Sequence, residues 1–231
     1  MTDVRTIAFV LYPGLTPLDL IGPLQVINAL AANGLPYRSV TVSHTTDPLP
    51  TDLPLRLTAS HTFAEVPEPF ALLVPGGGTP TYRAMADETV LAYLRTAAAK
   101  AELVLSVCTG SLVLGAAGLL EGRRATTHWA VREVLRKFGA TPVAERWVED
   151  GPFITAAGVA AGIDAALHVV DRLAGEEVAR FVQTVIEYDP QPPHGPIDWS
   201  TVDLSEGMRW HEMWVKEALG DHPELAAKLL G

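Results

Sequence analysis

Apolar residues along the chain follow two rhythms. Thr6–Tyr12 (TIAFVLY), Ala71–Val74 (ALLV) and Leu103–Val107 (LVLSV) are short runs with almost no polar interruption. Such runs fit strands covered on both faces, as in a parallel sheet. Tyr37–His44 (YRSVTVSH) alternates and is rich in β-branched residues, which predicts a further strand. Leu53–Phe63 reads as a short hairpin or excursion, and Ala144–Ala156 as paired strands around Asp150-Gly151. The segments between follow helical spacing. Asp19–Ala32 predicts a helix that begins near Gly22-Pro23, because proline suits a first helical position. Pro80–Lys100 and Gly110–Leu120 predict two more helices, and Thr127–Phe138 another that Gly139 ends. Ala161–Leu173 and Glu176–Tyr188 complete the set. Strands alternating with helices predict an α/β fold around a largely parallel sheet with right-handed crossovers.

The pattern changes after Tyr188. The string DPQPPHGP punctuates the chain, and Trp199, Trp210 and Trp214 follow in a helix-like stretch to Gly231. This tail is too short for an independent domain. The expected organisation is an α/β domain over 1–190 and a helical extension over 191–231, packed on the core or on a second subunit. Within it, Trp210-His-Glu-Met-Trp214 reads as an amphipathic packing stripe.

Composition narrows the function classes. The chain has 231 residues, 48% of them hydrophobic, and a formal net charge of −10. An acidic excess argues against nucleic acid and anionic membranes as partners. No apolar run approaches the ~20 residues of a membrane span, and the start of the chain lacks a signal-peptide pattern, so a cytoplasmic location is expected. A single cysteine excludes an intrachain disulfide and a cysteine-rich zinc site. The histidines at 44, 61, 168, 194, 211 and 222 form no zinc motif such as HExxH, so no metal is expected.

That cysteine, Cys108, falls where a buried strand meets a helix, in LSVCTGSLVLG. Ligands of open α/β sheets bind outside the carboxyl ends of the strands, and a sharp strand-to-helix turn exposes a nucleophile there. The helix N-terminus should lower the thiol pKa. The plain alternative is a buried, inert cysteine. Asp19, among Leu18, Leu20 and Ile21, follows the first strand on the same rim. It is either an N-cap for a helix starting near Gly22 or a carboxyl group that moves protons to and from the thiol. Pro75-Gly76-Gly77-Gly78 ends another strand. Its glycines can turn N–H groups toward a bound atom, making Gly76, Gly77 and Gly78 substrate-binding candidates beside the reading as an ordinary turn. His128, in ATTHW, reads as a structural or helix-start residue rather than a base. The small-residue segment from Ala156 to Gly162 borders the expected pocket, and close packing explains its composition.

Together these strings resemble the ThiJ/PfpI superfamily over about residues 5–190. The resemblance is carried by LDLIGP (18–23), PGG (75–77), SVCTGSLVLGAAGLL (106–120), RATTHWA (124–130), AGID (161–164) and Glu187-Tyr188. Within the superfamily the residues are most similar to those of the isocyanide (isonitrile) hydratases. Peptidase-like and several glyoxalase-like members place His directly after the cysteine, where this chain has Thr109. Other members use Glu where this chain has Asp19. Regulators that share the domain add a DNA-binding unit, whereas about 40 residues follow Tyr188 here, with no basic recognition helix.

The resemblance implies a flavodoxin-like three-layer α/β/α sandwich with a strand–Cys–helix nucleophile elbow. It implies a homodimer and a reaction that needs no cofactor: water is added to an isocyanide to give an N-formamide through a Cys108 thioimidate. Asp19 would transfer protons, and Thr109 with Gly77 would hold the reacting atom. A glyoxalase- or deglycase-type cysteine enzyme and a non-catalytic thiol redox sensor remain the alternatives.

Overall fold

The first apolar run forms strand β1 (Arg5–Val10), which lies inside the sheet because both its faces are apolar. The computed structural model describes residues 3–231; the first two positions of the expected 1–190 unit lie outside it. β1 pairs in parallel with β2 (Tyr37–Ser43) on one side and β4 (Ala71–Val74) on the other, and β3 (His61–Thr62) edges the sheet beyond β2. β4 pairs with β5 (Leu103–Ser106), and β5 with β7 (Phe153–Ala156). Within this sheet, only β6 (Trp147–Asp150) among the described residues is antiparallel, closing the far edge as a hairpin with β7. The seven-stranded order is β6-β7-β5-β4-β1-β2-β3. Every residue of β4, β5 and β7 is buried, so helices cover both faces.

One helical layer is α1 (Pro17–Ile27), α5 (Ala161–Ala174) and α6 (Glu176–Val185), packed in that sequence. α1 begins well before the position predicted near Gly22-Pro23. Pro17 takes the first helical position and Thr16 the cap, so Pro23 sits inside the helix. Its ring is buried and meets α5 at Gly162, packing that offsets the missing N–H. Asp19 is therefore not an N-cap; it lies in the first turn, facing inward.

The other layer contains α2 (Thr79–Ala84), α3 (Glu88–Ala98), α4 (Gly110–Ala116) and a 3₁₀ segment over Trp129–Phe138. The single helix expected over Pro80–Lys100 is two, because the Asp87 carboxylate caps a new start by accepting from the N–H groups of Thr89 and Val90. The α-helix expected over Thr127–Phe138 is 3₁₀ with a break at Val131, and Gly139 ends it at φ +74° as expected. The tail forms α7 (Leu204–Ala218) and α8 (Pro223–Leu230), which pack on the 3₁₀ segment; α7 also reaches α2. His211 pins them: Nδ1 lies 2.7 Å from the buried Tyr82 hydroxyl and Nε2 3.1 Å from the Leu229 carbonyl oxygen. No helix among the described residues is long and apolar enough to cross a membrane.

Candidate active site

The ends of β1, β4, β5 and β7 converge on Cys108. The Val107 N–H still bonds the Val74 carbonyl at 3.0 Å, and then the chain turns sharply, with Cys108 at φ +56°. A left-handed non-glycine residue costs about 1–2 kcal/mol, so the fold must hold it. It does so on both sides: the Cys108 N–H donates to the Ala157 carbonyl at 2.9 Å, and the Thr127 hydroxyl donates to the Cys108 carbonyl at 2.8 Å. Gly110 lets α4 start directly on β4, since a Cβ there would lie 2.2 Å from the Val74 oxygen.

Asp19 is fully buried beside the Cys108 thiol, close enough for each group to perturb the ionisation of the other. Its Oδ2 accepts the Gly76 N–H at 3.0 Å, while Oδ1 has no hydrogen bond of good geometry. Burial raises its pKa to about 7, against the pull of the Gly76 N–H and the thiol. Burial likewise pushes the Cys108 thiol up, and the nearby Asp19 charge adds to this. The N–H groups of Val159 and Thr109 are directed at the sulfur and favour thiolate, but they do not outweigh burial. The expectation of a thiol acidified by the helix end is thus corrected: that helix is short, and desolvation dominates. Near neutrality burial therefore favours the protonated thiol.

Two of the three N–H groups of the glycine turn are used within the protein. The Gly76 N–H is used on Asp19, and the Gly77 N–H on the Thr109 hydroxyl at 2.9 Å. That hydroxyl donates back to the Gly77 carbonyl at 2.6 Å and touches the Thr81 hydroxyl at 2.9 Å. The expectation that the Thr109 hydroxyl and the Gly77 N–H hold a reacting atom is corrected accordingly; they latch the turn to the elbow. Gly76 must lack a side chain, because a Cβ would lie 2.5 Å from the Thr109 nitrogen. Gly78 caps α2 and lies against the Trp214 indole.

Aromatic rings span the rim. His128 lies against Gly158, next to the Val159 N–H that meets the sulfur; its Nδ1 accepts the Ala130 N–H at 3.3 Å, and burial lowers its pKa. It is the helix-start residue expected. From His128 the rings run through Trp129 and Trp210 to Trp214 over Gly78, with neighbouring centroids 5.6–6.1 Å apart. The tail thus reaches both loops that flank Cys108. Among the described residues, no group of three or more His, Cys, Asp or Glu is placed to hold a metal.

Sequence reasoning missed Val159, Thr127, Thr81 and Tyr12. Val159 acts through its backbone N–H, which carries no residue signature, and the Thr127 hydroxyl meets a carbonyl 19 positions away. Tyr12 closes the first apolar run, so it passed as a strand residue. The AGID and Glu187-Tyr188 strings are scaffold: Arg146 and the Tyr188 hydroxyl both bond the Asp164 carboxylate, at 2.6 and 3.2 Å, bracing the start of α5.

The sequence model of the DJ-1/PfpI family matches residues 5–172. An isonitrile hydratase of Pseudomonas putida is 43% identical over 189 residues, covering 81% of this chain and 80% of that protein. The HTH-type transcriptional regulator CdhR of Pseudomonas aeruginosa is 31% identical over 74% of this chain, but over only 51% of its own length. A crystal structure of a ThiJ/PfpI family protein from Pseudomonas syringae superposes with a TM-score of 0.84 at 36% identity, covering 98% of this chain and 91% of that one.

Proposed function

The chain belongs to the DJ-1/PfpI family, and from that premise we propose that it is an enzyme that adds water to isocyanides and releases N-formamides. The observation that carries the reading is the buried Asp19 carboxyl against the Cys108 thiol, with Thr109 rather than histidine beside the nucleophile. The 43% identity to an isonitrile hydratase supports the same substrate class. A glyoxalase-type reading would want histidine directly after the cysteine, where this chain has Thr109.

The active form holds one proton between the two groups. Asp19 takes the thiol proton as sulfur adds to the terminal carbon of R–N≡C, and delivers that proton to the same carbon, leaving the thioimidate R–N=CH–S–Cys108. The N–H groups of Thr109 and Val159 steady the sulfur while it is anionic. Water then adds to the thioimidate carbon and a proton moves to nitrogen. The C–S bond breaks, R–NH–CHO leaves, and sulfur recovers its proton through Asp19. A carboxyl with a pKa near 7 suits exchange in both directions at neutral pH. No step draws on a metal or organic cofactor. Gly76, Gly77 and Gly78 contribute by shaping the site and holding Asp19 and Thr109. The Trp129, Trp210 and Trp214 rings receive the R group.

The chain works in the cytoplasm as a homodimer, with residues 1–190 as the α/β unit and 191–231 as its helical extension. Exposed Leu18 and Ile21, flanking Asp19 on α1, favour a partner surface near the site. Light scattering at micromolar concentration tests the dimer. For the reaction, purified protein is mixed with an aryl isocyanide and formamide is followed, with Cys108→Ala alongside. Turnover that disappears in the variant is expected. Equal rates in both proteins refute the assignment. A thiol that alkylates quickly without turning over any isocyanide redirects the reading to α-oxoaldehydes or peroxide sensing.

A further inference from the structure

We propose that Tyr12 is a positioning residue for proton exchange between Asp19 and Cys108, acting through the single peptide group that joins Pro75 to Gly76. The Tyr12 hydroxyl donates to the Pro75 carbonyl at 2.8 Å. The N–H of that same peptide belongs to Gly76, and it donates to Asp19 Oδ2 at 3.0 Å. In a planar trans peptide the carbonyl and the N–H point in opposite directions, so phenol, peptide and carboxylate form one directed chain. A carbonyl that accepts a hydrogen bond polarises its amide and strengthens the donor at the other end. The phenol therefore favours the charged form of Asp19, the form that takes the thiol proton. It also fixes the plane of the peptide, and with it the direction of the N–H.

Tyr12 suits this role because it stays neutral. It is buried at the end of β1, and burial raises its own pKa far above the working range. Asp19 and Cys108 face it, and Asp52, whose side chain accepts from the Thr16 hydroxyl, adds negative charge from beyond α1. Tyr93 supplies an internal control. Its buried hydroxyl donates to the Val66 carbonyl at 3.0 Å, away from the peptide that serves Asp19.

The inference takes the Asp19–Cys108 exchange of the proposed reaction as its starting point, yet its main readout needs no isocyanide. Cys108 is the only cysteine, so iodoacetamide reports this thiol alone. Its alkylation rate is measured from pH 5 to pH 9, on both sides of the raised Asp19 pKa of about 7, in wild type, Tyr12→Phe, Tyr93→Phe and Asp19→Asn. Wild type should show a step near pH 7, where Asp19 becomes able to accept the thiol proton, and Asp19→Asn should lack it. Tyr12→Phe keeps the ring and should move the step upward by ~0.5 unit or more, the scale of weakening one charge-assisted hydrogen bond. Tyr93→Phe should leave it in place.

A Tyr12→Phe step that coincides with wild type overturns the proposal, as does a step that persists in Asp19→Asn. The acid limb of isocyanide turnover should move in parallel. A shifted alkylation step with no turnover of any isocyanide would sink the reaction assignment and leave the role of Tyr12 standing. Should Tyr12→Phe not fold, 3-fluorotyrosine in place of all five tyrosines tests the same chain. Its more acidic phenol should move the step downward, and an unmoved step counts against the proposal.

Discussion

Asp19→Asn should stabilise the protein while disabling it, by an amount that grows as pH rises from 3.8 to about 7. The carboxyl ionises with a pKa of 3.8 in the unfolded chain and about 7 in the fold. Below pH 3.8 it is neutral in both states and costs nothing. Between the two values the unfolded chain has released the proton and the folded one has not, so stability falls as pH rises. Above about 7 the full penalty is in place. At ~1.4 kcal/mol per unit, the penalty is about 4 kcal/mol, of which roughly 3 accrue between pH 5 and pH 8.5. Asn can still accept the Gly76 N–H but bears no charge. Thermal unfolding of both proteins at the two pH values isolates the ionisation from every other effect of the exchange. The Tm advantage of Asp19→Asn should be larger at pH 8.5 by about 5–10 °C for a chain of this size. An advantage equal at both pH values, or reversed, would refute the claim that the fold buries a titrating carboxyl here.

Three further outcomes follow from the geometry. His211 is held neutral in the core and burial lowers its pKa, so the unfolded chain binds its proton first and the stability of the tail falls as pH drops below 6.5; tryptophan emission should shift red on acidification in wild type, and a similar shift in His211→Leu contradicts this. Gly110→Ala would set a Cβ 2.2 Å from the Val74 oxygen and should cost at least ~3 kcal/mol or prevent folding, read by urea denaturation; a loss under ~1 kcal/mol would mean that the elbow relaxes freely. Trp214→Ala should raise KM for aryl isocyanides several-fold more than for methyl isocyanide, and equal effects would remove the rim from substrate selection.

Much of the sheet was legible because strands buried on both faces write themselves as unbroken apolar runs: Ala71–Val74 matches its strand at both ends, and Leu103–Val107 differs by one residue. Cys108 stood out for a related reason, as a lone polar-capable residue between a buried strand and a Gly-containing helix start. The start of α1 was misplaced because LTPLDLIGP offers two prolines to begin a helix, and only the fit of Pro23 against Gly162 decides between them. Donor direction was the least legible property. Thr109 and the glycine turn were visible, but that they satisfy one another depends on a contact across 32 positions of sequence. The same holds for Tyr12 and Pro75, which are 63 positions apart.

The strand order also dictates a sequence of assembly. β1 to β4 make one side of the sheet from residues before Pro75, whereas β5, β7 and β6 extend it outward from β4. β5 is therefore a seam between an early half that carries Asp19 and a late half that begins with the nucleophile. As the chain leaves the ribosome N-terminus first, Asp19 waits, hydrated and ordinary, until that seam closes. Desolvation of the pair therefore needs strands from both sides of that seam. Alkylation of ribosome-bound nascent chains should find Cys108 open until β7 has emerged, and protection before that point would contradict this order.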